Sequence, residues 1–211
     1  MLTREDIKGV SLRTVAILRD AGYACCLFGS AACVAWGMRD RIPHDVDIVV
    51  LTDDDREEIK RKIVAVDSNF YLTRSKNPAN TFRILWYRVR LKVSCKVDIL
   101  LPGLLNIPPI PPDLVEVRDD LPVMPFLPLL LLKVQGWVDH MKDNRSHMKK
   151  KIPEDFRDID GLLGMVNDTH CLTANGWLPA TFIDIECEHV KTFVAEREYT
   201  KEKWKAIGFD V

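Results

Sequence analysis

The chain has 211 residues, 47% of them hydrophobic and 29% charged, and a formal net charge of −1. This composition is ordinary for a folded globular protein and argues against long disorder. A balance so close to neutral gives no bulk electrostatic case for an obligatory nucleic-acid partner, and the length suits one large domain or a core with a smaller helical module.

Thr3 with Asp6 reads as a capping box, and Ile7, Val10, Val15 and Leu18 fall near one helical face, which predicts a first helix ending near Asp20 and stopped by Gly22. Tyr23 to Phe28 is a short apolar run, read as a strand. Gly29-Ser30 follows as a turn, then Ala31 to Trp36 as a short helix and Gly37 to Pro43 as a polar loop carrying Arg39 and Arg41. Asp45 to Leu51 is rich in β-branched residues and predicts a strand. Thr52 is expected to cap a helix whose first turn is acidic, Asp53-Asp54-Asp55, with Ile59, Ile63 and Val66 as its buried stripe. Phe70 to Thr73, Phe82 to Val89 and Lys96 to Leu101 read as three further strands.

Pro102, Pro108, Pro109, Pro111 and Pro112 then interrupt the pattern, because proline suits neither a helix interior nor a central strand. Beyond them the character turns helical. Pro125 to Met141 carries Leu127, Leu130, Leu131 and Val134 inward. Pro153 opens a helix with Phe156, Ile159, Leu163 and Val166 at helical spacing, and Ile185 to Glu196 and Lys201 to Ala206 complete the chain. The expected layout is a mixed α/β module over 1–112 and a helical region over 113–211. The run Leu127 to Leu132 falls far short of the ~20 residues that span a bilayer, so no membrane partner is expected. The six cysteines, Cys25, Cys26, Cys33, Cys95, Cys171 and Cys187, form no Cys-x-x-Cys pair and sit largely in apolar strings. They read as reduced core residues and point to a cytoplasmic location. His140, His147, His170 and Cys171 match no standard zinc spacing.

Asp45 and Asp47 are two apart on a predicted strand, so both carboxylates project from one face while Val46 and Ile48 turn to the core. Adjacent carboxylates repel, which calls for a neutralising cation, and oxygen-only ligands suit Mg²⁺ or Mn²⁺. Upstream, the glycine of Gly29-Ser30 permits close backbone approach to a phosphate at a helix start. Downstream, Asp98 interrupts the apolar strand Lys96-Val97-Asp98-Ile99-Leu100, where an unpaired acid would be costly. A shared metal or a salt bridge to an arginine both satisfy it.

Together, Phe28-Gly29-Ser30-Ala31-Ala32, a gap of about a dozen residues, Asp45-Val46-Asp47-Ile48-Val49-Val50 and the later Asp98 resemble the signature of the DNA polymerase β-type nucleotidyltransferase superfamily. Asp155-Phe156-Arg157-Asp158-Ile159, with Lys133 on an earlier helix, is similar to the Asp-x-x-Asp helix of the small abortive-infection and toxin-type members, and antibiotic-type enzymes are the other close pattern. The resemblance implies an α/β (α+β) nucleotidyltransferase fold, a mixed central sheet flanked by helices and followed by a helical C-terminal part. It implies transfer of a nucleoside monophosphate from an NTP, ATP among them, to an acceptor hydroxyl on a small molecule, RNA or protein, with release of pyrophosphate. Asp45, Asp47 and Asp98 would be catalytic and would hold two Mg²⁺ or Mn²⁺ ions. Gly29, Ser30, Arg41, Lys133 and Asp158 would bind the nucleotide. A non-catalytic nucleotide-binding or partner-binding protein on the same fold is the alternative. His44, where the family has a short polar residue, departs from the pattern.

Overall fold

The computed structural model describes residues 1–75, 77 and 81–211, and their packing forms two compact units. The first comprises Met1–Leu105 and Pro109–Met124, the second Asn106–Pro108 and Pro125–Val211.

In the first unit, helix α1 (Arg4–Asp20) starts at the capping box. Thr3 Oγ1 accepts from the Asp6 amide at 3.1 Å, and Asp6 Oδ2 accepts from the Thr3 amide at 2.9 Å. Its buried face is Ile7, Val10, Ser11, Thr14, Ile17 and Leu18, while Val15 is only half-buried. Strand β1 (Cys25–Phe28) leads directly into α2 (Gly29–Ala35), then β2 (Asp45–Val50), α3 (Arg56–Val66), β3 (Phe70–Arg74), β4 (Arg83–Arg90) and β5 (Val93–Leu100). The α3 cap is Asp55, whose carboxylate accepts the Glu58 amide at 3.0 Å, and not Thr52. Thr52 instead accepts the Asp54 amide, which tightens the turn and leaves the acidic run ahead of the helix. Val66 ends α3 exposed, so Ile59 and Ile63 carry its buried stripe with the stem of Lys60.

Strands β6 (Glu116–Arg118) and β7 (Leu121–Val123) form a hairpin absent from the sequence reading. Each has three residues, too few to show alternation, and the turn uses Asp119 and Asp120, both at positive φ, as a two-residue hairpin of matched twist requires. The Met124 amide donates to the Leu27 carbonyl at 3.0 Å, so the first unit runs past the proline-rich stretch to Met124. The sheet order is β3-β4-β5-β2-β1-β7-β6. β2 pairs in parallel with β5 and β1 with β7, and the other pairs are antiparallel. This is the mixed sheet with flanking helices that the resemblance implied. Val46, Ile48, Leu85, Cys95, Val97 and Ile99 fill the buried side, and α1 and α3 pack against the sheet.

The second unit is helical: α4 (Phe126–Lys142), a one-turn α5 (Ser146–Lys149), α6 (Ile152–Leu163), α7 (Ala180–Glu196) and α8 (Lys201–Ala206). Every residue from Phe126 to Leu132 is buried, and α6 and α7 pack on α4. Trp137 lies 5.1 Å from Phe193, centroid to centroid, with Phe156 and Trp204 completing an aromatic core. Lys133 donates to Asp158 at 2.7 Å between α4 and α6, and His140 meets Asp155 at 2.6 Å. The Asp-x-x-Asp face is therefore packed on α4 by an ion pair at Asp158 and a hydrogen bond at Asp155, with Asp158 itself 1% exposed.

Glu186 is fully buried, accepts from Asn106 at 3.1 Å, and lies 3.1 Å from His189 Nδ1. Burial pushes its carboxyl from 4.5 up to about 8, against the Asn106 hydrogen bond and aided by Asp139. Burial and the charge of Lys142 hold His189 below its usual range, against Asp139. Near neutral pH both shifts favour the uncharged forms, so the Glu186–His189 contact is a neutral hydrogen bond. Because the folded carboxyl titrates above the unfolded one, the folded state holds the extra proton and loses stability as pH rises towards about 8. Between pH ~7 and ~9, where His189 is neutral folded or unfolded, the wild-type melting temperature should fall while that of Glu186→Gln stays nearly flat. Parallel slopes for the two proteins would contradict the neutral pair.

Candidate active site

The parallel register of β2 on β5 sets Asp45 opposite Lys96 and Asp47 opposite Asp98. Alternation then sends Asp45, Asp47, Lys96 and Asp98 to the same half-exposed face, while Val46, Ile48, Val97 and Ile99 point to the core. One carboxylate oxygen from each of Asp45, Asp47 and Asp98 lies within 4.8 Å of the others. Three hard oxygen donors at this spacing fit a divalent cation of the Mg²⁺ or Mn²⁺ type, with further ligand positions left to water or substrate.

The third acid satisfies its cost in part through a lysine. Lys96 Nζ donates to Asp98 Oδ2 at 2.5 Å. Burial alone would depress this ammonium, yet the bond to Asp98 and the fields of Asp98, Asp45 and Asp47 hold it above its ordinary value. On the core side of the same strand, burial raises the Cys95 thiol to about 12, and the carboxylate field adds to the shift. That cysteine is an inert, protonated core residue. The sequence reading left Lys96 out of the site. Its position two before Asp98, on the same strand face, was the available signal.

Gly29 places the other wall. It begins α2 at φ +62°, and a Cβ there would overlap Asp47 Oδ2 and stand 3.1 Å from Asp47 Cγ. The residue must be glycine for two reasons, the left-handed backbone and the contact with the carboxylate. Ser30 follows, 5% exposed, in the first turn of α2. Arg41 is half-buried in the loop before β2, its Nη1 donating to the Ile42 carbonyl at 3.2 Å and its own carbonyl accepting from Arg4. Lys133 and Asp158 lie in the second unit, paired with each other. The structure thus brings Asp45, Asp47, Asp98 and Gly29 together around one patch.

The row continues outward from the carboxylates. Trp86 is the cross-strand partner of Lys96, and Tyr71 is the partner of Trp86, so the two half-exposed rings share the acid-bearing face. Trp86 Nε1 donates to Thr73 at 3.0 Å and the Tyr71 hydroxyl to Ser94 at 2.9 Å, which pins both rings by their polar atoms.

No family model and no curated protein matches this chain. Solved structures do. A crystal structure of an antigenic nucleotidyltransferase-like protein from Paracoccidioides brasiliensis superposes with a TM-score of 0.67 at 14% identity, covering 99% of each chain. The antibiotic-resistance factor ANT(2'')-Ia in solution gives 0.52 at 11% identity, covering 95% of this chain and 99% of the other. ANT(2'')-Ia in complex with adenylyl-2''-tobramycin gives 0.50 at 10%, covering 88% and 97%. The chain therefore has the nucleotidyltransferase fold.

Two alanine substitutions separate the roles of glycine here. Gly29→Ala should weaken Mn²⁺ binding by at least about tenfold and cost roughly 1–2 kcal/mol of stability, from the left-handed backbone and the displaced Asp47. Gly9→Ala, in mid-α1 with nothing within 4 Å of the added Cβ, should leave Mn²⁺ binding alone and stabilise by about 0.5–1 kcal/mol. Isothermal titration and thermal melts read both.

Proposed function

We propose that this chain is a metal-dependent nucleotidyltransferase that moves a nucleoside monophosphate from an NTP to an acceptor hydroxyl and releases pyrophosphate. The observation that carries the reading is the convergence of Asp45, Asp47 and Asp98 within 4.8 Å beside the Gly29 turn, on a fold shared with nucleotidyltransferases.

Asp45, Asp47 and Asp98 would hold the divalent metal. Such a metal supplies charge for the phosphoryl oxygens and acidifies a bound hydroxyl. The bare backbone at Gly29 lets the triphosphate approach the start of α2, where the Ser30 hydroxyl and the first amides donate to it. Asp98, at the outer end of the acid row, accepts the proton of the acceptor hydroxyl as its oxygen bonds to the α-phosphorus. The bond from that phosphorus to the pyrophosphate oxygen breaks in the same displacement. Arg41 would balance phosphate charge from the loop before β2.

On the sheet face that carries Asp98, the neighbours along and across the strands are the Lys96 ammonium and the Trp86 and Tyr71 rings. This supports a ring-bearing acceptor that is neutral or anionic over a polycationic one.

Incubation with Mg²⁺ or Mn²⁺ and each labelled NTP, scoring label on the protein itself, on RNA and on small hydroxyl compounds, should reveal transfer. Asp47→Asn should lower that transfer at least about a hundredfold. Its melting temperature should not fall, since one of three mutually repelling charges is removed. Full Mg²⁺-dependent activity in Asp47→Asn would overturn the assignment. Mg-NTP binding without product across the acceptor panel would instead identify a non-catalytic nucleotide binder.

A further inference from the structure

The acid row arrives with a cation already built into it. Lys96 stands two residues before Asp98 on β5 and opposite Asp45 on β2, so its side chain leaves the sheet among the three carboxylates. A half-exposed lysine on a strand normally lays its stem along the surface and keeps its ammonium in water. Here the stem turns back, and Nζ sits 2.5 Å from Asp98 Oδ2, with the two side chains 35% and 32% exposed. That oxygen belongs to the acid that lies nearest the aromatic row of Trp86 and Tyr71 in the strand order.

We propose that Lys96 is an internal counter-ion of Asp98 and that the divalent ion on this carboxylate binds in exchange for the ammonium. The inference rests on the metal reading of Asp45, Asp47 and Asp98 given above. A divalent ion held by Asp98 beside an ammonium on the same carboxylate would meet like-charge repulsion at contact distance, which favours exchange over joint occupancy. Lysine suits the role because its ammonium is a compact charge on a mobile stem with no fixed bidentate geometry, so it can leave without dismantling the strand. Before exchange it lowers the repulsion among three acids that the sheet register forces together. Lys96 acts through Asp98 and is a positioning residue.

The test is Mn²⁺ binding to the full chain, followed by the electron paramagnetic resonance of the free ion, with and without a non-hydrolysable NTP analogue. Lys96→Met should tighten the weakest-bound Mn²⁺ by about tenfold, and Lys96→Gln should move it in the same direction. Lys96→Arg, which grips a carboxylate with two parallel donors, should bind that ion no more tightly than the wild type. In an Asp98→Asn background, Lys96→Met should bring no gain. Without metal Lys96→Met should melt lower than the wild type, and saturating Mn²⁺ should raise its melting temperature by more. Unchanged or weaker Mn²⁺ binding in both Lys96→Met and Lys96→Gln would overturn the exchange, as would a gain that persists with Asp98→Asn. If Asp45→Asn and Asp47→Asn leave Mn²⁺ binding intact, the metal reading itself fails. If they weaken it while the Lys96 variants are silent, the exchange alone fails.

Discussion

The arrangement of the first unit depends on one constraint, the parallel register of β2 on β5. That register puts Asp47 beside Asp98 and Asp45 beside Lys96. Three carboxylates with oxygens within 4.8 Å are held against their own repulsion by the strands beneath them. The strands can do so because their other faces are anchored by Val46, Ile48, Val97 and Ile99, all 2% exposed or less. Burial of that apolar face is the large term, and the clustering of like charge on the opposite face is the smaller one it overrides.

Around this patch, local chemistry and packing agree. Gly29 serves the left-handed start of α2 and leaves room for Asp47, so a single residue type answers a backbone demand and a side-chain demand. Lys96 supplies positive charge where the sheet concentrates negative charge. The second unit shows the same economy of burial with polar partners: Lys133 with Asp158, His140 with Asp155, and a neutral Glu186 with Asn106 and His189. Each buried acid there has a named donor or is kept uncharged, as low-dielectric surroundings demand.

The outlines of both units were legible in the sequence because they rest on local signals. Thr3 and Asp6 announce the first helix, the β-branched run after Asp45 announces the central strand, and the Leu-rich run after Pro125 announces the buried α4. The misreadings fall where a local signal was ambiguous or too short. Thr52 and Asp55 are both good caps, and only the backbone between them decides which one serves. Val66 continues a helical stripe in sequence, but the helix ends there and leaves it exposed. The β6–β7 hairpin is too brief for period-2 alternation to show.

For the site, the sequence by itself determined that Asp45 and Asp47 share a face, since alternation along a strand is a property of the backbone. It also placed a glycine at a strand-to-helix turn and an acid in a later apolar strand. It left open whether Asp98 meets a metal site or an arginine salt bridge. Only the tertiary structure decided that Asp98 joins the pair, that its cationic partner is Lys96 rather than an arginine, and that Gly29 lies against Asp47. The reason is physical: strand pairing between residues some fifty positions apart fixes a register that no local pattern encodes, and that register determines which charges become neighbours.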